Sequence, residues 1–368
     1  MYIQVFANWQ KFFQCGKIFC CSLWKPLFWP KLHENEGCVL LRNKLKGSYC
    51  EMGQNYGFGL LSRGWELPSI SNKRLRLGLK CESQVERFFP EILEEIEGIA
   101  DVCRMDYDKL AAFILTVGGP RCSVFAVTDG KDVFFGRNYD WYYDDKDWDE
   151  NYLTMPDQGY WSLGDSDIFV GREDGVNERG LAIAMSGITA YPTPGINFPV
   201  AVRYVLDKCA TVKEGVQFLI EIPHFCTMSY LMADASGDMA VVEASPQKTA
   251  VRKPEEDSFI VSTNHFVDPE MLDIRIYEPP DSRSRYDTIS KMLKDRTGKL
   301  NEELVKSILS DHNGLICSHR GNIKLGTLWS LIVDLKNLHV FRAEGQPCKT
   351  EYEADRSLKE VIQARKTQ

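Results

Sequence analysis

The spacing of apolar positions changes at Cys122, and the change divides the chain. Before it, apolar residues recur every three or four positions. "GSYCEMGQNYGFGLLSRG" reads as a helix stopped at Gly64. After a loop, "CESQVERFFPEILEEIEGIADVCR" (81–104) reads as a long acidic helix that Pro90 kinks or divides, and "DYDKLAAFILTVGG" (106–119) as a third helix. From Cys122 the period drops to two: "CSVFAVT", the turn "DGK" and "DVFFGRN" form a hairpin, with Asp129-Gly130 as its turn signal. "DSDIFVGRED" and "GLAIAMSGI" read as strands flanking the turn "GVNERG". Helices follow at 197–208 and 211–221, the second opening on the capping box Thr211-x-x-Glu214. "MSYLMADASGDMAVVEASPQKTAV" and "SFIVSTNHF" are strands again. Helices at 283–295 and 301–310 and the strands "TLWSLIVDL" and "LHVFRAE" complete the pattern. Strand groups separated by paired helices predict an α+β fold, two antiparallel sheets face to face with helices outside.

Composition narrows the class. The 368 residues suffice for one large domain or two ordinary ones, and 44% hydrophobic with 26% charged content is that of a globular protein. A net charge of -8 excludes a general nucleic-acid binder, and no apolar stretch reaches the roughly 18 residues of a membrane span. The first 30 residues are aromatic and cysteine-rich, but Lys11, Lys17 and Lys25 interrupt them, so no secretory signal is expected. They read either as a membrane-surface segment or as a non-essential extension. Twelve cysteines without a C-x-x-C pair and without a signal peptide predict reduced thiols in a cytoplasm. The six histidines fall singly, with no H-E-x-x-H or C-x-x-C…H pattern, so no metal is expected.

The candidate chemistry lies in the first hairpin, "CSVFAVTDGKDVFFGRNYDW". Freed at its amino side, Cys122 would carry both a nucleophilic thiol and an α-amino base whose reference pKa of about 7.7 to 8.0 needs little tuning. Arg137 would supply the cation that favours thiolate across strands about 5 Å apart, and Asp140 would hold the α-ammonium. Asn138 reads as turn support or as a further site residue. Freeing Cys122 requires cleavage of the Arg121-Cys122 bond, most economically by the Cys122 thiol itself through an acyl shift from nitrogen to sulfur and hydrolysis of the thioester. The preceding segment would then remain as a self-derived subunit.

That hairpin resembles the N-terminal-nucleophile hydrolases of the choloylglycine hydrolase and penicillin V acylase type. It is most similar to their autoprocessing relatives, the acyl-coenzyme A:6-aminopenicillanic acid acyltransferase-like group (peptidase family C45). The resemblance runs over residues 47–349, through "GSYCEMGQNYG", "ERFFPEILEEIEGIA", "VNERGLAIAMSGI", "LMADASGDMAVVEASP", "STNHF", "SRSRYDTI" and "LICSHRG…GTLWSLIVDL". It implies an αββα sandwich, an oxyanion-hole asparagine at Asn264 and a late active-site arginine at Arg285, with Arg283 the competing choice. Ser186 is the candidate for the further donor that the bile-salt and penicillin V enzymes carry near this strand. Here the arginine and aspartate lie 15 and 18 residues after the cysteine, one fewer than is usual in the family.

The expected organisation is an N-terminal extension (1–46), a helical prosegment (47–121), a catalytic domain (122–349) and a charged C-terminal tail (350–368). The expected activity is hydrolysis of a linear carboxamide in a small N-acyl substrate, without metal or organic cofactor. Transfer of the acyl group to an amine, with coenzyme A as a possible source, is the alternative, and a non-catalytic scaffold of the same fold a third reading. Trp141 and Tyr142, in the aromatic run 139–148, either line the acyl pocket or are plain core. His265, His312 and His319 have no partner spacing that supports a Cys-His pair. Asp234 and Glu243 read as turn and pairing residues.

Overall fold

The computed structural model describes residues 43–367 apart from Pro120, Ile168, 189–191, 255–257 and Gly298. The extension expected over 1–46 therefore lies outside the described residues except for its last four. Those four belong to β1 (Asn43–Gly47), which pairs in parallel with β4 (Glu150–Pro156) at the edge of a sheet. The fold thus reaches further toward the N-terminus than hydrophobic spacing shows, because "NKLKG" has one buried residue, Leu45.

Four helices precede the hairpin: α1 (Tyr49–Ser62), α2 (Asn72–Phe88), α3 (Glu91–Cys103) and α4 (Tyr107–Leu115). Ser48 and Glu51 close a full capping box on α1. α2 starts nine residues before the predicted 81. The missed signal is Ser71, whose side chain accepts from the Arg74 amide as the N-cap. Pro90 divides α2 from α3 as expected. α1 crosses α3 at Gly53 and Gly98, where an added Cβ would stand 2.0 Å from the Glu95 carbonyl oxygen and 2.3 Å from that of Cys50. Only glycine permits this backbone approach.

The first sheet runs β1-β4-β5-β6-β7-β8-β9-β10, with β5 (Ser162–Ser166), β6 (Asp174–Asn177), β7 (Leu181–Gly187), β8 (Met228–Asp234), β9 (Met239–Ala244) and β10 (Thr249–Arg252). The second runs β11-β2-β3-β13-β14-β15, with β2 (Arg121–Thr128), β3 (Val133–Tyr142), β11 (Phe259–Ser262), β13 (Leu325–Asp334), β14 (His339–Ala343) and β15 (Glu353–Asp355); the short β12 (His319–Arg320) pairs with β13. Among the described strands every pairing but β1-β4 is antiparallel. "DSDIFVGRED" is not one strand: it holds the end of β5, a turn and the start of β6. Both sides of that turn are buried, which hides the alternation that would mark its ends.

The sheets stack through one core in which Val124, Ala126 and Phe135 meet Ile183, Leu231 and Val241. On the far side of the second sheet, Phe125 and Val127 pack with α7 (Ser282–Lys294) and α8 (Glu302–Leu309) through Ile289 and Val305. α5 (Phe198–Lys208) and α6 (Val212–Glu221) cover the first sheet. The Thr211 side chain caps α6, while Glu214 accepts from the Ala210 amide, one residue earlier than a regular capping box requires. Asp234 accepts from Ser236 in its turn and from the Val212 amide, and Glu243 pairs with Arg252. The predicted tail is structured over most of its length: β15 extends the second sheet, and α9 (Ser357–Lys366) buries Leu358. Its charges mask the apolar residues that dock it, Leu358 with Val361 and Ile362 on one core and Tyr352 on the other.

Candidate active site

Cys122 is held from both sides of its strand. Along β2 it faces Tyr139 of β3. On the other side β11 pairs only with Val124 to Val127 and ends at Ser262, so side chains take over there. The Cys122 amide donates to Asn264 Oδ1 at 3.3 Å, and its carbonyl accepts from Arg285 Nη1 at 2.7 Å. Its sulfur accepts from Arg137 Nη2 at 3.2 Å. Cys122, Arg137, Asn264 and Arg285 are 0% exposed and Asp140 2%, so the Cys122 sulfur is sealed from solvent.

Strand alternation explains which group points where. Cys122, Arg137 and Tyr139 face the layer between the sheets, where Arg137 reaches across to β6 and donates to Asp174 Oδ2 at 2.6 Å, with Glu173 at 3.8 Å. Its guanidinium lies over Trp329 and Tyr139, which stack 4.9 Å apart. Burial would depress the Arg137 pKa, but the Cys122 sulfur, Asp174 and Glu173 together raise it, so it stays charged. Burial pushes the Cys122 thiol up more than Arg137 pulls it down. The cation expected to favour thiolate is in place, yet burial outweighs its pull.

Asp140 faces the opposite side, toward α7 and α8, directly across from Arg121 in the ladder. It accepts from Thr327 Oγ1 at 2.7 Å, and Thr327 accepts from the Ser318 amide. Burial raises its carboxyl to about 6, against the pull of Arg285 and the Thr327 bond. The Cys122 amide bonds Asn264 instead, so the expected hold of Asp140 on the Cys122 nitrogen is not made in the intact chain.

Arg285 projects from the first turn of α7. Its Nε donates to Asp281 at 2.9 Å, its Nη2 to Asn264 Oδ1 at 2.6 Å, and its Nη1 also to Ser123 Oγ. Although burial opposes it, Arg285 and Arg320 hold the Asp281 carboxyl below its usual range. Arg283, the competing choice, is exposed and paired with Glu278. The Asn264 amide donates to the Gly187 carbonyl at 2.8 Å, and its backbone N–H to Ser282 Oγ.

The remaining expectations divide. Ser186 is buried and bonds Ser262 at 3.4 Å, beside the Asn264-Gly187 contact. Asn138 faces away from Cys122; its amide donates to the Leu309 and Ile316 carbonyls, so it anchors the loop after α8. Trp141 and Tyr142 are half-buried and edge-on to one another, and Trp141 packs against the main core. His265 bonds Ser282 and Thr263, and burial lowers its pKa to about 4. Reading the sequence missed Thr327, which arrives through strand pairing, and Asp174 and the Gly187 carbonyl, which arrive from the other sheet through stacking. Asp281 carried a legible signal, an acid four residues before an arginine on one helix.

The sequence matches the family model for acyl-coenzyme A:6-aminopenicillanic acid acyl-transferase over residues 127–349, more than half of the chain. That match starts five residues after Cys122 and contains Arg137, Asp140, Asn264 and Arg285. An uncharacterized protein of Archaeoglobus fulgidus is 25% identical over 343 residues, covering 72% of this chain and 56% of that relative; the chain spans little more than half of its length. Among solved structures, penicillin V acylase from Agrobacterium tumefaciens is 23% identical with a TM-score of 0.45, over 61% of this chain and 82% of that one. Two variants of the conjugated bile acid hydrolase from Clostridium perfringens are each 15% identical, with TM-scores of 0.45 and 0.47 over 64% and 63% of this chain and 96% of theirs. With this extent of match, the chain belongs to the acyl-coenzyme A:6-aminopenicillanic acid acyl-transferase family.

Proposed function

We propose that this chain activates itself by cleaving the Arg121-Cys122 bond and then acts on a linear carboxamide through a Cys122 thioester. One observation carries the reading: nitrogen, oxygen and sulfur of Cys122 are each gripped by a different buried side chain, Asn264, Arg285 and Arg137. A core cysteine needs partners for its backbone but no guanidinium on its sulfur.

In the first step the Cys122 sulfur attacks the Arg121 carbonyl carbon. The carbon–nitrogen bond breaks, and the thiol proton ends on the departing Cys122 nitrogen. For Asp140, on the other face of β3 and poised near neutrality, to relay that proton, the Cys122 nitrogen first leaves Asn264. Water then hydrolyses the thioester, returning the thiol and leaving a carboxylate on Arg121.

In turnover the freed α-amino group takes the thiol proton as sulfur attacks the substrate carbonyl. Arg137 stabilises the sulfur, and the Asn264 amide, released from Gly187, donates to the oxyanion. One such donor is worth about 10²- to 10³-fold in rate. The amine leaves with the proton, and water resolves the acyl-enzyme. The prosegment stays attached through buried pairs: Arg203 meets Glu95 at 3.0 Å and Asp207 at 2.7 Å, and Tyr49 donates to Asp207. Acyl transfer to a second amine is the alternative outcome of the same thioester, favoured by the acyl-transferase description of the family model.

The test is intact mass and N-terminal sequencing of the purified chain. Cleavage yields fragments of 121 and 247 residues (368 − 121 = 247), and Cys122→Ala stays whole. N-acyl amino acids, penicillin V and conjugated bile acids, with and without an acceptor amine or an acyl-coenzyme A, then separate hydrolysis from transfer. Full turnover by an uncut 42.1 kDa chain ends the self-activation reading. An uncut chain with neither turnover nor labelling at Cys122 is the scaffold.

A further inference from the structure

The loop that Asn138 anchors carries a second cluster. His312 and Cys317 lie between α8 and β12, His319 opens β12, and Cys348 comes from the turn between β14 and β15. One donor atom from each of these four residues lies within 4.8 Å of the other three. His319 Nε2 stands 3.3 Å from the Cys317 sulfur and 3.2 Å from the Cys348 sulfur, and the rings of His312 and His319 meet edge-on with centroids 5.0 Å apart. The spacing, H-x₄-C-x-H with a last cysteine 29 residues on, matches none of the metal patterns sought in the sequence, which is why no metal was expected there.

We propose that His312, Cys317, His319 and Cys348 bind one zinc ion in a tetrahedral, structural site. The donor set decides the metal: two thiolates and two imidazoles are the ligands of Cys₂His₂ zinc. Size agrees, since zinc–sulfur bonds of about 2.3 Å and zinc–nitrogen bonds of about 2.0–2.1 Å put tetrahedral ligand atoms roughly 3.3–3.8 Å apart. The observed nitrogen–sulfur separations are already at that scale, and the longest separations close by about 1 Å. On binding, the two thiols release their protons to solvent, and Zn(II) with two thiolates is neutral. Four protein ligands leave no open position, which assigns structural rather than catalytic zinc.

The site's place in the fold gives it a purpose. The ligands join two connections far apart in sequence. Between Cys317 and His319 sits Ser318, whose amide donates to the hydroxyl that holds Asp140. The residue after His319 is Arg320, which pairs at 2.7 Å with Asp281, the carboxylate that holds Arg285. Zinc would therefore pin the loop behind both Asp140 and Arg285. The site stands whether or not the bond before Cys122 is cut.

The test measures metal on the full chain, free of any polyhistidine tag and prepared without chelator. Elemental analysis is expected to find about one zinc per chain, falling at least tenfold in Cys348→Ser after dialysis against a mild chelator. His312→Ala, altered at an exposed position, is expected to hold zinc more weakly while folding normally. Cobalt(II) added to chelator-treated, reduced protein is expected to give a thiolate charge-transfer band that weakens in Cys348→Ser. Reduced wild-type protein that takes up neither zinc nor cobalt overturns the proposal. So does full zinc retention in both variants, or a native Cys317-Cys348 disulfide in non-reducing peptide mapping. If Cys348→Ser does not fold, wild-type stoichiometry and the cobalt band still decide.

Discussion

Asp140→Asn is expected to stabilise the uncut protein at neutral pH while preventing it from cutting itself. Asp140 is buried, and its carboxyl is raised to about 6 from an ordinary 3.8. Between those values the native state holds a proton that the unfolded chain has released, so stability falls as pH rises from 3.8 to 6 and stays reduced above. At 1.36 kcal/mol for each tenfold in proton affinity, the reduction at neutral pH is about 3 kcal/mol. Asparagine keeps an oxygen for the Thr327 hydroxyl and carries no charge to bury. With an unfolding entropy of about 2.1 cal/mol/K per residue over roughly 325 residues, the gain corresponds to a rise in Tm of roughly 4 °C. The measurement is thermal and urea unfolding from pH 4 to 8, with and without Asp140→Asn in a Cys122→Ala background, so that both chains stay whole. In the asparagine protein the decline between pH 4 and 6 should flatten. A Tm at pH 7.5 no higher than the parent's, with the decline intact, would refute the electrostatic reasoning. A gel showing Asp140→Asn with Cys122 present and cut at the parental rate would refute the proton-relay role.

Three other substitutions probe separate parts of the molecule. Arg285→Met removes the donor to the Cys122 carbonyl and to Asn264, and is expected to slow self-cleavage by at least about 10²-fold in a gel time course. Glu95→Ala leaves Arg203 with Asp207 and the Val170 carbonyl. At about 3–5 kcal/mol for breaking a buried pair, cut protein should release its prosegment on gel filtration where the parent does not. Gly98→Ala drives a methyl against the Cys50 carbonyl and is expected to lower the urea midpoint by an amount equivalent to about 1–3 kcal/mol.

The sequence by itself determined the two regimes of the chain, because helix and strand periods are local properties. It determined that Cys122 lies at the start of the first strand of the hairpin and that Arg137 lies within reach of its sulfur, since a tight turn sets which residues of two strands face each other. Family resemblance placed Asn264 and Arg285 in the candidate site, 142 and 163 residues from Cys122, where no local pattern could join them to it. Only the tertiary structure decided what those groups do now. It brought Asp174 across from the other sheet to hold Arg137, Thr327 from a later strand to hold Asp140, and the Gly187 carbonyl to occupy the Asn264 amide. It also turned Asn138 away to anchor a loop and gathered two histidines and two cysteines that the sequence scatters. Sheet stacking and loop closure join residues of unrelated position, and burial, which sets the protonation of Cys122 and Asp140, exists only once they are joined.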